Sequence, residues 1–504
     1  MTNEPTVYSA EQGVLVGTGE NYANDLLRNY SGLTHSPRAY EHPLRTSELL
    51  RDFVGFEIDP FLLEVAKFHD VADQARDAQL GKNARQLLYQ YAKSLSDEKR
   101  DYFDSVLSNM QDVEQTAERC RENVGEKGSR LRAVISERNN RNQVIEPSLW
   151  LEDSEITSPQ EMLDLINRVN LEAVLIKAAE LLDNLKHPAP TDIAIFQDMH
   201  EADSFYAPLL EILGYDGFAM ALRDQAFRIK LEKSGNGAYI HEAERMLSRI
   251  GAQEEVATFI SKIFGGVGND FFMDAIVSNI SGQHSIRIGE LVHAVPGDSE
   301  TREEKVLRGV WRVKTVGSLA MKLFRKGKGY TPYDLIGISV IPEDVKGVAQ
   351  YLGMFVSSMV ETEGVELVTT NSKEAPIYIS GGEDFNSSIV RELKVPTSVQ
   401  VVPNLKNDYQ VAKVTFRAPD EFGLTYYPCE LQVLTEADRV AYRIGSGAHF
   451  AYKSRGQKNT IFTRETLEEI KRRRSDLGKV QVNPSSSNSA IQFRNLYKNS
   501  KPRD

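Results

Sequence analysis

Two sets of side chains in this sequence have the types and the spacing to do chemistry. In the first, His42 opens HPLRTSELL, His69 and Asp70 close FLLEVAKFHD, and Glu180 and Asn184 stand in IKAAELLDN. Residues four apart are neighbours on a helix, so Glu180 and Asn184 share a face. Neutral imidazoles and carboxylates gathered from several helices suit a divalent ion. Such an ion lowers the pKa of bound water and polarises a phosphoryl oxygen. Taken alone, a His-Asp dipeptide at a helix end reads as a capping or surface pair. The order His, His-Asp, acid within one helical region is what favours the metal. HEAER at His241 has no second histidine for a zinc-protease helix.

The second set begins with Arg312, Lys314, Ser318 and Lys322 in RVKTVGSLAMK. A helix from Ser318 onward stacks Ser318 and Lys322 one turn apart, while Arg312 and Lys314 lead into its N-terminus. That is a natural polyphosphate site; the bland alternative is a solvated basic helix. Asp334 starts the apolar run DLIGISVI, and Glu430 lies in CELQVLT. Alternation puts Glu430 and Gln432 on one face of a strand and Cys429, Leu431 and Val433 on the other. Two strand carboxylates beside a basic comb suit a Mg²⁺ ion that bridges nucleotide phosphates. Tyr409, in NDYQVAKV, offers a ring on which a purine could stack, worth about 1 to 3 kcal/mol. The glycines of RIGSGAHF match neither a P-loop nor a dinucleotide fingerprint.

Different elements must position the two sets. Residues 26 to 232 read as helical, with apolar residues three and four apart in Ser47 to Phe53, Pro60 to Phe68, Leu171 to Lys186 and Ala207 to Ile229. The charged stretch from about 96 to 143 reads as a helical insertion or solvated hairpin between two helices of the first domain; the bland reading is that it only connects. Residues 240 to 280 continue as amphipathic helix (AERMLSRI, EEVATFISKIF). Strand-length runs rich in Val, Ile and Tyr then follow: Asp334 to Pro342, Val365 to Thr370, Ile377 to Ile379, Gln400 to Val402, Gln410 to Ala418 and Pro428 to Thr435. These predict a mixed sheet flanked by helices. Residues 1 to 25 read as a loose leader, and residues 456 to 504 as a basic helix with a disordered tail.

Composition bounds what such a protein can be. The chain has 504 residues, 41% apolar and 26% charged, with a formal net charge of −12. That length predicts several domains, and the negative balance argues against broad nucleic-acid binding. No apolar run reaches the 18 or so residues of a membrane span, and the N-terminus reads as no signal peptide. A cytoplasmic location is therefore expected. Two cysteines, Cys120 and Cys429, suggest neither a disulfide scaffold nor a zinc cluster, so any metal must be held by histidines and carboxylates.

At these residues the chain resembles the RelA/SpoT homologues, the enzymes of the alarmone (p)ppGpp. HPLR, FHDVAD, IKAAELLDN and YAPLLEILGYDGFAMALRDQAFRI look like their HD hydrolase half. RVK with Ser318 and Lys322, then YDLIGISVI, NDYQ, ELQVLT and GSGAHFAYK look like their synthetase half. The resemblance covers about residues 30 to 455. It implies an all-α HD-type domain at 26–232, followed by a helical linker and an α/β, mixed-sheet, nucleotidyltransferase-like domain at 233–455. It implies Mn²⁺ on His42, His69, Asp70 and Glu180, with Asn184 in the hydrolase pocket. It also implies Mg²⁺ on Asp334 and Glu430, ATP contacts from Arg312, Lys314, Ser318 and Lys322, and a guanine site of Asn407, Tyr409, Lys413 and His449. Asp73 and Gln432 join Asp334 and Glu430 as expected catalytic groups.

The implied reaction is pyrophosphate transfer from ATP to the 3′-hydroxyl of GTP or GDP, with removal of the 3′ pyrophosphate of (p)ppGpp in the first domain. The chain departs from the family at Glu180 (usually Asp), Asp73 and Gln74 (usually Glu-Asp), Ser339 and Leu434 (usually Arg), Asp408 (usually Gly) and Lys413 (usually His). Gln74 cannot titrate, so it cannot act as a general acid or base. Two alternatives follow: a regulatory homologue that binds nucleotide or metal, and an HD phosphohydrolase for another nucleotide. The family's C-terminal ribosome-sensing region is not expected here, which leaves control to the two domains, to homo-oligomerisation or to another protein.

Overall fold

The computed structural model describes residues 20–34, 38–54, 58–77, 81–122, 144–151, 159–188, 191–265, 272–277, 286–295, 305–327, 329–361, 364–369, 375–393, 398–403, 410–419, 426–435, 438–439, 472 and 492–495. Helices account for the first half: α1 (Glu20–Thr34), α2 (Arg38–Val54), α3 (Pro60–Ala66), α4 (His69–Ala75), α5 (Lys82–Ser94), α6 (Asp97–Glu122), α7 (Pro159–Arg168), α8 (Leu171–Lys186), α9 (Asp192–Glu201), α10 (Ala207–Leu213), α11 (Asp216–Lys233), α12 (Ala238–Leu247) and α13 (Gln253–Gly265). Their ends follow ordinary capping chemistry. Asp59 accepts a 2.8 Å hydrogen bond from the Phe61 amide ahead of Pro60, and α10 stops at Gly214, whose φ of 78° is left-handed.

The middle of the helical half is α8. Nearly all of its residues from Leu171 to Leu185 are buried, and it packs against α2, α6, α9 and α11. A helix that is apolar all round has to lie inside. The polar residues it carries inward, Lys177, Glu180 and Asp183, therefore need partners from those neighbours.

The second half is a mixed sheet with helices. Its elements are β1 (Phe272–Val277), β2 (Ile288–Val295), β3 (Lys305–Val313), α14 (Val316–Lys326), β4 (Ile336–Ile341), α15 (Val345–Glu361), β5 (Glu366–Leu367), β6 (Ile377–Gly381), α16 (Glu383–Glu392), β7 (Val399–Pro403), β8 (Val411–Pro419) and β9 (Tyr426–Val433). The strand order is β1-β2-β3-β4-β9-β8-β6-β7, with β5 on β8. The β4–β9 and β6–β7 pairs are parallel and the others antiparallel. Alternation sorts the faces. Trp311, Ile336, Ile338, Val340, Leu431 and Val433 join the core with Leu319, Leu352 and Phe355, while Arg312, Ser339, Glu430 and Gln432 stay outside it.

Two hydrophobic cores result. Phe218, Leu222 and Ala226 of α11 belong to the first, and Phe227 and Leu231 of the same helix to the second. One helix thus feeds both cores, and its share of the second core lies before the expected boundary at 232/233. None of the described helices is long and apolar enough to cross a membrane.

Three expectations are corrected. The charged stretch at 96–143 is no mere connector where it is described, because Tyr102, Phe103, Val106, Leu107, Met110 and Val113 of α6 are core residues. Buried Ser105 and Asn109 bond to Asn170 and break up the apolar stripe in the sequence. Strands β1 to β3 begin earlier than the texture predicts, so residues 240–280 end in strand rather than helix. Residues 492–495 are helical, and Phe493 lies in the first core, which places an ordered segment within the expected tail. Most of the leader and most of 456–504 lie outside the described residues.

Candidate functional site

The first constellation converges. His42 comes from α2, His69 and Asp70 from the first turn of α4, and Glu180 from α8. One ligand atom from each of these four residues lies within 4.8 Å of all the others. The two imidazole Nε2 atoms are 3.1 Å apart, and His69 Nε2 is 3.4 Å from Asp70 and 4.0 Å from Glu180.

The other ring nitrogens decide how these imidazoles present themselves. His69 Nδ1 is 2.8 Å from the Ala66 carbonyl, and His42 Nδ1 is 2.5 Å from Asp183 Oδ2. When Nδ1–H donates to oxygen, the Nε2 lone pair is left to face the cluster. Glu180 Oε2 is buried and makes no well-directed hydrogen bond among the described residues, although Lys177 Nζ stands 2.7 Å away. Two Nε2 lone pairs and an incompletely satisfied carboxylate oxygen fit a divalent cation.

Asp183 is a site residue that the sequence reading passed over. It is buried, accepts two hydrogen bonds from Arg45 at 2.8 and 3.0 Å, and lies 2.9 Å from His187 Nδ1. Burial alone would raise its pKa, but His42 and Arg45 hold its carboxyl well below the usual range. For His42, burial disfavours the charged form, and the Asp183 bond with the Asp70 and Glu180 charges more than offsets it, which raises its pKa. Its place three positions after Glu180 puts it on the same inward-facing helix, but nothing in the sequence says which residue would pair with it.

The expected proton-handling pair is placed differently. Asp73 lies 2.5 Å from Arg76 Nη1 and 3.4 Å from Lys177 Nζ, so it neighbours the metal set through Lys177. Burial works against charge on Lys177, yet Asp73, Glu180 and Glu114 raise its pKa well above the ordinary value. Gln74 is turned toward Tyr30, whose hydroxyl donates to Oε1. Asn184 accepts from Arg38 at 2.9 Å.

The second constellation forms two ion-pair clusters. Asp334 Oδ2 accepts from Lys314 Nζ and Lys322 Nζ, both at 2.7 Å, while its buried Oδ1 has no hydrogen-bond partner among the described residues. Burial would raise the Asp334 pKa, but the two lysines hold it well below the usual range. Lys314 is lowered by burial in spite of Asp334, and Lys322 is raised by Asp334 in spite of burial. Glu430 accepts from Gln432 at 2.8 Å and lies 3.7 Å from Lys413 Nζ.

Register links this cluster to Arg312. Arg312 pairs with Gly337, and Gly337 with Glu430. The Arg312 stem lies against Gly337, where a Cβ would meet it at 3.6 Å. In the next row on the same face, Ser339 pairs with Gln432, Gln432 with Lys413, and Lys413 with Tyr378, a residue the sequence reading did not single out. Tyr409, Asn407 and His449 lie outside the described residues.

The N-terminus of α14 is a correction. Its amides are bound within the protein: Gly317 N donates to Asp224 Oδ1 at 2.5 Å, and Ser318 N to Thr315 Oγ1 at 3.4 Å. Asp224 is buried on α11 and paired with Arg228. A protein carboxylate thus stands where a phosphate was expected, and the basic comb must act through its side chains. No family model matches the chain, and no curated protein matches it.

Proposed function

We propose that the chain is a two-site enzyme of guanosine tetra- and pentaphosphate metabolism. The helical half would hold Mn²⁺ and remove the 3′ pyrophosphate of (p)ppGpp. The sheet half would use Mg²⁺ to move pyrophosphate from ATP to GTP or GDP. One observation carries the reading: His42, His69, Asp70 and Glu180, distant in sequence, bring ligand atoms within 4.8 Å of one another. A divalent ion held there lowers the pKa of bound water and polarises a phosphoryl oxygen. His42 and His69 would hold it through Nε2 and Asp70 and Glu180 through carboxylate oxygens, with the Lys177 ammonium beside Glu180.

In the sheet half, the spacing of Lys314, Lys322 and Asp334 favours phosphate handling. Polyphosphate would draw the two lysines, and Asp334, so released, would be available to Mg²⁺. Arg312 and Glu430, aligned across β3, β4 and β9, would flank the acceptor. The test separates the two halves: labelled nucleotides are resolved after incubation with ATP plus GTP or GDP in Mg²⁺, and in parallel with ppGpp in Mn²⁺. Both conversions are expected, with Asp334→Ala losing only the transfer and His69→Ala losing only the hydrolysis and its Mn²⁺. Transfer that survives Asp334→Ala, or Mn²⁺ content unchanged in His69→Ala, contradicts the assignment.

A second reading rests on Gln74. With Gln74 bonded to Tyr30 and Asp73 to Arg76, the proton-handling groups differ from the family pattern. This favours an HD phosphohydrolase of another nucleotide, and ppGpp left intact in Mn²⁺ while a different phosphorylated nucleotide is cleaved would select it.

A further inference from the structure

Residues 492–495 pack on the helical half, and their contacts lead to the metal set. Phe493 is 6% exposed and belongs to the first core, and the Arg76 guanidinium stands over its ring, 5.4 Å from the centroid. Arg494 Nε lies 2.5 Å from the buried Asp104 of α6, and its Nη2 pairs with Asp101. One turn along α6 from Asp104, the Leu107 carbonyl accepts a 2.7 Å hydrogen bond from Arg76 Nη2. A cation over an aromatic face is attracted by the ring quadrupole. Arg76 is therefore fixed by Phe493, by α6 and by Asp73, to which its Nη1 donates at 2.5 Å.

Arg76 is the C-cap of α4, a helix of seven residues. So short a helix has little stability of its own, and contacts from outside hold its last turn. Asp73 lies in that turn, three positions after Asp70 and on the same face. The Arg76 bond takes its Oδ1 and leaves Oδ2 3.4 Å from Lys177 Nζ, which stands 2.7 Å from Glu180. The two oxygens are thus divided between Arg76 and the side of the metal set, so the way the carboxylate faces follows from where Arg76 is held. We propose that Phe493 and Arg494 are positioning residues for the metal site: docked on α6, residues 492–495 clamp Arg76 so that Asp73 turns Oδ2 toward Lys177 and Glu180. The catalytic consequence rests on the phosphohydrolase reading, in which Asp73 is a catalytic group. The clamp itself does not.

The full chain is tested with Mn²⁺. Phe493→Leu keeps an apolar side chain in the core and removes the ring, Phe493→Tyr keeps the ring, and Arg494→Gln loosens the segment from α6 without touching the core. Hydrogen exchange read by mass spectrometry reports the clamp without any substrate. The amides of residues 69–77 are expected to exchange about fivefold faster in Phe493→Leu and Arg494→Gln, and at the wild-type rate in Phe493→Tyr, with those of α14 unchanged. Mn²⁺ affinity is expected to stay as in the wild type, because Asp73 is not among the ligands. In ppGpp hydrolysis, kcat is expected to fall about tenfold in Phe493→Leu with KM unchanged, short of the roughly hundredfold that a misplacement of about 1 Å brings. In an Arg76→Gln background the same change should cost nothing further, since the two residues act as one unit. Wild-type exchange at 69–77 in both Phe493→Leu and Arg494→Gln, equal effects of Phe493→Leu and Phe493→Tyr, or an unaltered kcat in Phe493→Leu overturns the proposal. The expected exchange pattern in a chain that leaves ppGpp intact would support the clamp and count against the hydrolase reading alone.

Discussion

The imidazoles of His42 and His69 point into one small volume because each Nδ1 is tied to an oxygen outside it. Asp183 makes one of those ties and is itself gripped by Arg45. Carboxylate partners of this kind orient a metal-ligating histidine and raise its basicity. Asp183→Asn keeps the shape and removes the charge, and is expected to weaken Mn²⁺ binding by about 10- to 100-fold in calorimetry. An unchanged affinity would mean that Asp183 only packs. The four candidate ligands were legible in the sequence because histidines and acids are rare in apolar helices. Asp183 and Lys177 were not, since a buried charge is explained only by partners that the fold supplies: Arg45 for Asp183, Asp73 and Glu180 for Lys177.

At the scale of elements, α11 and α14 meet at Gly317. A Cβ there would stand 2.3 Å from the Asp224 carbonyl oxygen, so only glycine allows the approach. Gly317→Ala forces the helices apart and is expected to cost about 1 to 3 kcal/mol in urea unfolding. Because α14 carries Ser318 and Lys322, the same change should weaken the ATP binding proposed for the sheet half. A second prediction concerns α9, where His200 packs edge-on against Phe196 with ring centroids 4.4 Å apart. Burial and the Lys230 charge, against Asp203, push its pKa down to about 3. The unfolded chain takes up this proton below about pH 6.5 while the folded chain does not, so stability falls as pH drops from there toward 3. Between pH 7 and 5 the wild type should lose about 2 kcal/mol more than His200→Gln, as read from urea midpoints at the two pH values. An equal loss in the variant would assign the acid sensitivity to other groups.

At the scale of the whole molecule, residues 492–495 return to the helical half. Arg494 Nε lies 2.5 Å from Asp104, whose side chain is fully buried, and Arg494 also pairs with Asp101. Phe493 sits beneath the Arg76 guanidinium, which in turn holds Asp73. Arg494→Ala leaves Asp104 short of a compensating charge and is expected to cost about 1 to 3 kcal/mol in urea unfolding. A loss below roughly 0.5 kcal/mol, the scale of an exposed ion pair, would make this contact incidental. The sequence by itself determined the division into a helical half and a sheet half, because the period of apolar residues changes from three or four to two where the backbone geometry changes. It also determined the candidate ligands and most later strands, including Ile336–Ile341 with its alternating burial. Only the tertiary structure decided that α6 is core, that Asp224 takes the place of an anion at α14, and that 492–495 pack against α6. Each of these is a contact between segments far apart in the chain, and local periodicity carries no information about which distant side chain will satisfy a given buried charge or amide.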